Sequence, residues 1–298
     1  MRVKMCITIR DPRFEKIYKR DDANNADRCF FSLAQKRDVE LDLAVGALEI
    51  AKDAYPGLDS KIYLEKLEQM SLEVQNRICH TGDASSQIAQ LNRYLFDEIG
   101  LSGNQDDYFN LRNSYLNDVL ERKLGIPITL SVVYIEIAKR VGLPIVGVGF
   151  PGHFIVKHKG KYLETFIDPF EGGRILSGDM LLERLRTSFQ QPVPMKPEFL
   201  REVSNREILA RMLRNLKQLY CQKKAYVRAT MAAERITWLQ PDSAQDYRDL
   251  GHLYHQSSAY GKSLAAFEKY LRLDPNAYDR EEIEHRVPLL IQHLSTLN

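Results

Sequence analysis

The most continuous apolar stretch of the chain lies within residues 125 to 173. In it, Ile128 to Val141 carries apolar residues on nearly every face, which predicts a helix buried on most sides. Pro127 is acceptable in the first turn of that helix, and Gly142 ends it. Three short runs typical of β-strands follow: Ile145 to Phe150, His153 to His158, and Tyr162 to Ile167. The stretch therefore predicts a buried helix followed by antiparallel strands.

Helical spacing of apolar residues is found on both sides of this stretch. The pattern predicts three helices between Val39 and Leu95, the second capped by Asp59 or Ser60. After the strands, Ser177 to Phe189 predicts another helix, and everything beyond Ser204 is helical in pattern. The strongest candidate for a domain boundary is a proline-bearing linker, from Pro192 to Pro197.

Amide and hydroxyl side chains lie just before the buried helix. Asn113 or Ser114 is a natural N-cap for a helix that runs through Leu120. Asn117 lies one turn further on and faces the same way. Two interpretations stay open: these side chains cap the helix and hold a loop in place, or they line a cleft near His153.

A repeat with a period of 34 residues occupies the C-terminal part of the chain, and this is the period of tetratricopeptide repeats. The first copy is the weaker one, because Lys217 replaces the usual glycine and Ala233 a larger apolar residue. Two repeats are fewer than a free-standing array needs, so we expect them to pack on the preceding domain. An open concave groove for a peptide is the alternative. The offset joins Leu213 with Tyr247, Leu216 with Leu250, Tyr220 with Tyr254, Ala225 with Ala259, and Pro241 with Pro275.

Composition and charge narrow the classes of function. The 298 residues are 44% apolar and 28% charged, typical of a globular protein large enough for two domains. The net charge of +2 gives no argument for binding nucleic acid or a membrane surface. We expect a cytoplasmic protein, because neither a transmembrane run nor a signal-peptide core is visible. Scattered cysteines without C-x-x-C spacing predict free thiols rather than disulfides: Cys6, Cys29, Cys79 and Cys221.

One histidine and one aspartate, His153 and Asp168, fall on neighbouring predicted strands after the buried helix. This layout resembles the transglutaminase-like, papain-related superfamily, in which a cysteine opens the helix and a strand histidine and aspartate follow. Gly142-Leu143-Pro144-Ile145 matches the element that closes the helix, and Gly125 to Ser131 matches the opening. In that register the position of the nucleophilic cysteine is Pro127.

The loss of this cysteine removes the attacking group. A thiol at a helix N-terminus is a good nucleophile because the helix dipole and a neighbouring histidine favour its thiolate, whereas proline has nothing to ionise. Ser131 and Thr129 are the hydroxyls nearest to the missing thiol. Core packing explains Ser131 better, and Thr129 is suited to satisfying free amides at the helix start. Their use as nucleophiles is the weaker alternative.

Further motifs resemble a narrower family, the SirB family, which joins a transglutaminase-like domain to tetratricopeptide repeats. The resemblance covers roughly residues 28 to 290 and implies an α+β domain followed by an all-α repeat region. Members of this family generally lack the cysteine too. We expect domains at 28–191 and 205–298, a linker at 192–204, and no assigned role for 1–27. The matching motifs are Asn113 to Asn117, the Gly-Ile-Pro-Ile turn, Phe150 to Phe154, and Asp168 to Gly173.

The sequence therefore favours a non-catalytic adaptor or regulatory protein that binds a protein or peptide through the cleft, the repeat groove, or both. One alternative is a hydrolase or acyl transferase that acts on amides, with His153 as base and Asp168 as orienter. Another is an assembly module that acts only through its repeats. The candidate binding residues are Asn113, Ser114, Asn117, Thr129, Ser131, Gly152 and Phe170.

We predict no cofactor and no metal site. His153 and His158 are five positions apart, so on a regular strand they point to opposite faces and cannot share an ion. The turns at Gly152 and Phe170 are expected to form two rims of a cleft, or to be simple tight turns.

Overall fold

A computed structural model describes residues 25–79, 82–160 and 164–286 of the chain. Cys6 and most of the predicted N-terminal segment 1–27 lie outside these ranges. So do Tyr162, at the start of the third predicted strand, and residues 287–297 of a closing helix that the sequence pattern predicts over 280–297.

Helices make up the N-terminal side of the first domain. Asp42, Asp59 and Asp83 each accept a backbone N–H from the first turn of the helix that follows, which fixes where that helix begins. Asp59 was one of the two predicted caps. The helices are α1 (Asn25–Ala34), α2 (Leu43–Ala51), α3 (Ser60–Ile78), α4 (Ala84–Asn92) and α5 (Leu116–Arg122), with a π-helical turn at Arg93–Glu98.

The predicted capping role of Asn113 and Ser114 is wrong. Both residues lie inside a 3-10 helix (Leu111–Ser114) whose cap is Asn110, and α5 begins after Tyr115 without a side-chain cap. The error has a physical cause, because the side chain of Asn113 is used by a preceding loop and is not available to the helix start.

The predicted central helix is confirmed as α6 (Pro127–Arg140), and it is buried almost along its whole length. Proline is its first residue. The Thr129 hydroxyl accepts the backbone N–H of Ile126 at 3.1 Å, so a side chain satisfies one of the free amides at the helix start. Two short parallel strands, β1 (Ser102–Gly103) and β2 (Leu124–Gly125), lie just ahead of the helix.

A five-stranded antiparallel sheet packs beside α6, and its strands pair in the order 174–176, 164–168, 155–159, 145–148 and 202–203. The predicted strand boundaries need correction, and the first strand ends at Val148 instead of Phe150. The second strand begins at Ile155 and not at His153, so His153 lies in the turn that precedes it. The strands are β3 (Ile145–Val148), β4 (Ile155–Lys159), β5 (Glu164–Asp168), β6 (Arg174–Leu176) and β7 (Glu202–Val203).

Helices predominate among the described residues that follow β6. The predicted helix after the sheet is present as α7 (Gly178–Phe189). Residues 202 and 203, within the predicted linker, pair with β3 and belong to the sheet. Two helical hairpins with the tetratricopeptide period follow: α8 (Asn205–Gln222) with α9 (Tyr226–Leu239), and α10 (Ala244–Gln256) with α11 (Tyr260–Leu273). The predicted α+β class with an all-α extension is confirmed.

The two exceptions to the repeat pattern, Lys217 and Ala233, are complementary in size. In the second unit, a Cβ atom at Gly251 would lie 2.6 Å from the ring of Phe267, so only glycine fits there. The equivalent positions of the first unit are Lys217 and Ala233, which combine a long side chain with a small one. Lys217 then forms an ion pair with Asp249 of the next unit.

The first repeat packs on the preceding domain, as expected from the small number of repeats. Leu209 of α8 fills the space above Gly46 of α2, where a Cβ atom would overlap its methyl groups. Asn205 donates to the Leu41 carbonyl at 2.8 Å. Buried apolar residues of both parts form one continuous core. Helix α8 therefore packs directly on the first domain.

Candidate functional site

His153 and Asp168 meet at the end of the sheet. Asp168 is the last residue of β5, and the turn before β4 carries His153 to it, with Nε2 2.9 Å from Oδ2 of the carboxylate. The aspartate is fully buried, and the imidazole is 14% exposed. Among the described residues, no group hydrogen-bonds to Nδ1 of His153. The second ring nitrogen is thus the one left for a ligand.

Asp168 has two other partners besides the histidine. Arg184, on α7, donates to the same Oδ2 at 2.6 Å, and the backbone N–H of Phe170 donates to Oδ1 at 2.9 Å. Arg184 also reaches Glu171 at 2.8 Å. A buried carboxylate is tolerated when a cation and hydrogen bonds surround it, so Asp168 is a well-satisfied group. Its charge is shared between the imidazole and a permanent guanidinium.

The turn that carries His153 is held from two directions. Gly152 has a φ of +69°, and a Cβ atom there would overlap the hydroxyl of Ser188, so glycine is required. The Ser188 hydroxyl donates to the Pro151 carbonyl at 3.0 Å. From the first repeat helix, Arg211 donates to the carbonyl of His153 at 2.7 Å. The repeats therefore hold part of the site.

Phe170 lies between the imidazole and the strand pair that precedes α6. Its ring stands edge-on to His153, with centroids 6.0 Å apart. A Cβ atom at Gly103 would lie 2.6 Å from the same ring, and Gly103 pairs with Gly125, two residues before the start of α6. The aromatic ring thus occupies space on the side of the imidazole that faces this helix start.

A cavity of about 480 Å³ opens beside the imidazole. Helix α7 forms one wall, and the turns at Gly152 and Glu171 form the opposite edge. Its lining is apolar and polar in equal parts and carries charges of both signs. The lining residues are Gly152, His153, Glu171, Arg174, Met180, Glu183, Arg184, Thr187 and Ser188.

No attacking group stands at the start of α6. Pro127 is buried there, and the Thr129 hydroxyl donates to the Asn113 carbonyl at 2.8 Å while accepting the N–H of Ile126. Ser131 is fully buried, and its hydroxyl has no hydrogen-bond partner among the described residues. Both hydroxyls are absent from the cavity lining.

The remaining predicted binding residues are buried. Asn113 is fully buried, and its amide donates to the carbonyls of Asp107 at 2.7 Å and Tyr108 at 3.2 Å, so it holds a loop. Ser114 and Asn117 are 1% and 5% exposed. The structure brings His153, Asp168, Gly152 and Phe170 together, whereas Asn113, Ser114 and Asn117 do not line the cavity.

The described residues contain no group of three or more histidine, cysteine or acidic side chains that could hold a metal ion. His158 is buried within β4, and burial lowers the pKa of its imidazole. The cysteines that the structure describes, Cys29, Cys79 and Cys221, are free thiols, and none of the three lines the cavity. Within the same residues, every helix is too short or too polar to cross a membrane.

Sequence reasoning missed the cations of the site. Arg184 lies 16 positions beyond Asp168 and Arg211 lies 58 positions beyond His153, on amphipathic helices where arginine is an ordinary surface residue. Only the packing of α7 and α8 on the sheet shows what they contact. No sequence signal distinguishes them from other arginines on these helices.

Comparison with known proteins agrees with this architecture. The pattern of the transglutaminase-like superfamily matches residues 61–214, and that of the tetratricopeptide repeat matches residues 216–288. The first match extends into α8, beyond the end of the domain that the sequence predicts, so the domain limits stay predictions.

Some relatives match most of the chain, and others match only a part of it. A UPF0162 protein of Xylella fastidiosa (strain 9a5c) is 37% identical over 269 residues, which is 89% of this chain and 96% of that protein. A UPF0162 protein of Pseudomonas aeruginosa is 30% identical over 221 residues, 74% of this chain and 78% of that one. Human F-box only protein 21 is 34% identical over 116 residues, which is 36% of this chain and 17% of that protein.

Proposed function

The chain belongs to the transglutaminase-like superfamily and, within it, to the UPF0162 proteins, and on that premise we propose that it binds a peptide or protein segment without transforming it. The binding site is the cavity beside His153, between α7 and the turns at Gly152 and Glu171. The resemblance of its motifs to the SirB family, whose members generally lack the cysteine, supports the same proposal. So does the repeat region, because tetratricopeptide repeats generally mediate contacts between proteins.

The observation that carries the proposal is the composition of the helix start that faces the site. Acyl transfer on this fold needs an ionisable nucleophile there. The chain has Pro127, and the hydroxyls of Thr129 and Ser131 are respectively hydrogen-bonded and buried away from the cavity. Phe170 occupies space between the imidazole and this helix start. His153 without a nucleophile beside it can bind a peptide but cannot form an acyl intermediate.

The environment of Asp168 supports this proposal too. In a working triad the carboxylate orients the histidine and stabilises its protonated form. Here Arg184 donates to the same oxygen as the imidazole, at 2.6 Å. The carboxylate oxygen that would serve the imidazole alone in a triad is therefore shared with a permanent guanidinium. His153, Asp168 and Arg184 are therefore suited to binding a ligand through fixed hydrogen bonds.

One observation favours a second candidate, an amide hydrolase that uses water. The His153 and Asp168 pair is intact at 2.9 Å, and Nδ1 has no partner among the described residues. Such an enzyme would use the imidazole as general base on a water molecule. The same experiment separates the two candidates.

The test is an array of peptides of varied sequence, probed with the full chain and with two variants. Thr187→Trp adds bulk to the wall of the cavity from an exposed position of α7. Ile62→Trp places the same bulk on α3 at a residue 57% exposed and outside the cavity, and it is the matched control. We expect some peptides to bind the parent and Ile62→Trp with equal affinity. The same peptides should bind Thr187→Trp at least about tenfold more weakly.

Positive peptides are then incubated with the protein and followed by mass spectrometry. The proposal predicts an unchanged peptide mass. Cleavage or deamidation by the parent protein that disappears in His153→Gln would contradict it and establish the hydrolase. Equal binding by all three proteins would also contradict it, because the cavity would then play no part. We also propose the cytoplasmic location that the sequence predicts, and cell fractionation tests it.

A further inference from the structure

Two consecutive aromatic side chains, Tyr108 and Phe109, stand in solvent next to the site. They are 40% and 61% exposed, and their rings meet edge to face with centroids 5.3 Å apart. Large exposed aromatic groups cost free energy in a monomer, and neighbouring ones form the kind of patch that marks an interaction surface. We call residues 105–109 the aromatic loop.

The aromatic loop is held rigidly although it is exposed. Asn113, which is fully buried, donates its amide to the carbonyls of Asp107 and Tyr108. Asn104 accepts the backbone N–H of Asp107 at 3.0 Å and donates to Asn113 at 3.1 Å. Because buried amides fix the backbone beneath the rings, a partner would meet a preorganised surface and would lose little conformational entropy in ordering it.

The patch continues to the imidazole. Tyr108 stands edge-on to Phe170 with centroids 6.0 Å apart, and Phe170 stands edge-on to His153 at the same distance. Four rings therefore run from Phe109 to His153. A peptide segment that binds along these rings would reach the imidazole at the edge of the cavity.

The charge of the aromatic loop is negative. Asp106 and Asp107 are exposed, and in the part of the chain that the structure describes neither forms an ion pair. Asn110 donates to the Asp107 carboxylate at 2.8 Å, and Asp106 has no such bond. Arg211 interacts electrostatically with Tyr108, and its guanidinium is bound to the carbonyls of Phe150 and His153. The exposed loop thus presents aromatic faces together with two carboxylates that form no ion pair among the described residues.

We propose that the aromatic loop binds a lysine- or arginine-bearing peptide segment of the partner. Aromatic faces attract ammonium and guanidinium groups, and the flanking carboxylates add a favourable charge. This inference rests on the proposed function, because it names the chemistry of the segment that the adjoining cavity receives. An acidic or uncharged segment is the competing outcome.

Fluorescence anisotropy with two labelled peptides tests the inference. Both have about ten residues in a glycine and serine background, one with three basic residues and the other with three glutamates at the same positions. The full chain is compared with the double variant Tyr108→Ala, Phe109→Ala and with Asp106→Asn. Ile62→Ala, which removes an exposed apolar side chain from α3, is the matched control.

We expect the basic peptide to bind the parent and the control equally, and to bind the double variant about fivefold more weakly or worse. Asp106→Asn should weaken binding less, and added salt should reduce the difference between parent and variant. Circular dichroism confirms that each variant is folded. Equal affinity for the basic and acidic peptides, or an unchanged affinity in the double variant, overturns the inference.

The two proposals fail in different ways. Array peptides that depend on the Thr187 wall but carry no basic residues leave the proposed function standing and refute the basic segment. Array peptides that ignore the Thr187 wall refute the proposed function, whatever their charge.

Discussion

A buried arginine of the first repeat forms ion pairs with the N-terminal helical region. One of its two acidic partners, Asp53, makes the stability of the protein depend on pH. Arg235 is fully buried on α9, 3.1 Å from a carboxylate oxygen of Asp27 and 2.6 Å from one of Asp53. The pKa of Asp53 is raised from 3.8 to about 6. Burial is the main cause, and the negative charge of Asp27 adds to it. Attraction to Arg235 acts in the opposite direction and is outweighed.

The sign and size of the effect follow from linkage. A carboxyl with a higher pKa in the folded state than in the unfolded state contributes stability that is complete below about pH 3.8 and is lost as the pH rises through about 6. The difference between these pKa values corresponds to about 3 kcal/mol. Asparagine cannot ionise, so Asp53→Asn should avoid this loss. We expect the variant to unfold with a free energy up to about 3 kcal/mol higher than the parent at neutral pH.

Urea unfolding at about pH 4 and about pH 7.5 is the assay. The gain from Asp53→Asn should be present at the higher pH and close to zero at the lower one. The lowered pKa of His158 destabilises both proteins on acidification, so it cancels in the difference. Asp97→Asn, at an exposed position of the π-helical turn, is the control and should show no pH-dependent gain. A variant that is less stable than the parent at neutral pH would refute the reasoning, because attraction to Arg235 would then exceed the cost of burial.

Three further predictions concern packing around the site and the repeats. Gly251→Ala should lower the free energy of unfolding by about 1–3 kcal/mol, because its Cβ atom would lie 2.6 Å from the Phe267 ring; thermal unfolding checks this, and an unchanged midpoint would contradict it. Arg235→Met should cost about 3–5 kcal/mol by leaving two buried carboxylates without their cation, and urea unfolding that shows no loss would contradict it. Arg211→Gln should shift the ring signals of His153 in NMR spectra while the protein stays folded, because the carbonyl of that residue loses its donor; unchanged signals would show that the repeat does not hold the turn.

The sequence predicts the helix and sheet core well because its signals are local. Apolar residues on every face of Ile128 to Val141 leave few alternatives to a buried helix, and the 34-residue period fixes the phase of the repeats. The interpretation of Lys217 and Ala233 as a degraded copy missed their compensation, because that requires knowing that the two positions face each other.

The site was predicted only in part, because its polar contacts cross the fold. His153 and Asp168 follow from motif order. Arg184 reaches the aspartate from a helix that begins after the sheet, and no local pattern encodes that contact. Asn113 has the residue type of a helix cap, yet its amide holds the aromatic loop, since two backbone carbonyls of that loop lie within its reach. Residue type alone does not choose between such partners.

The central claim is that the cavity beside His153 binds without chemistry, and one NMR experiment tests it most directly. The spectrum of an array-selected peptide mixed with the full chain reports the His153 ring signals and the peptide signals together. We predict that the ring signals shift to saturation while the peptide signals keep their covalent pattern indefinitely. Peptide signals that convert to those of a cleaved or deamidated product with the parent, but not with His153→Gln, would contradict the account.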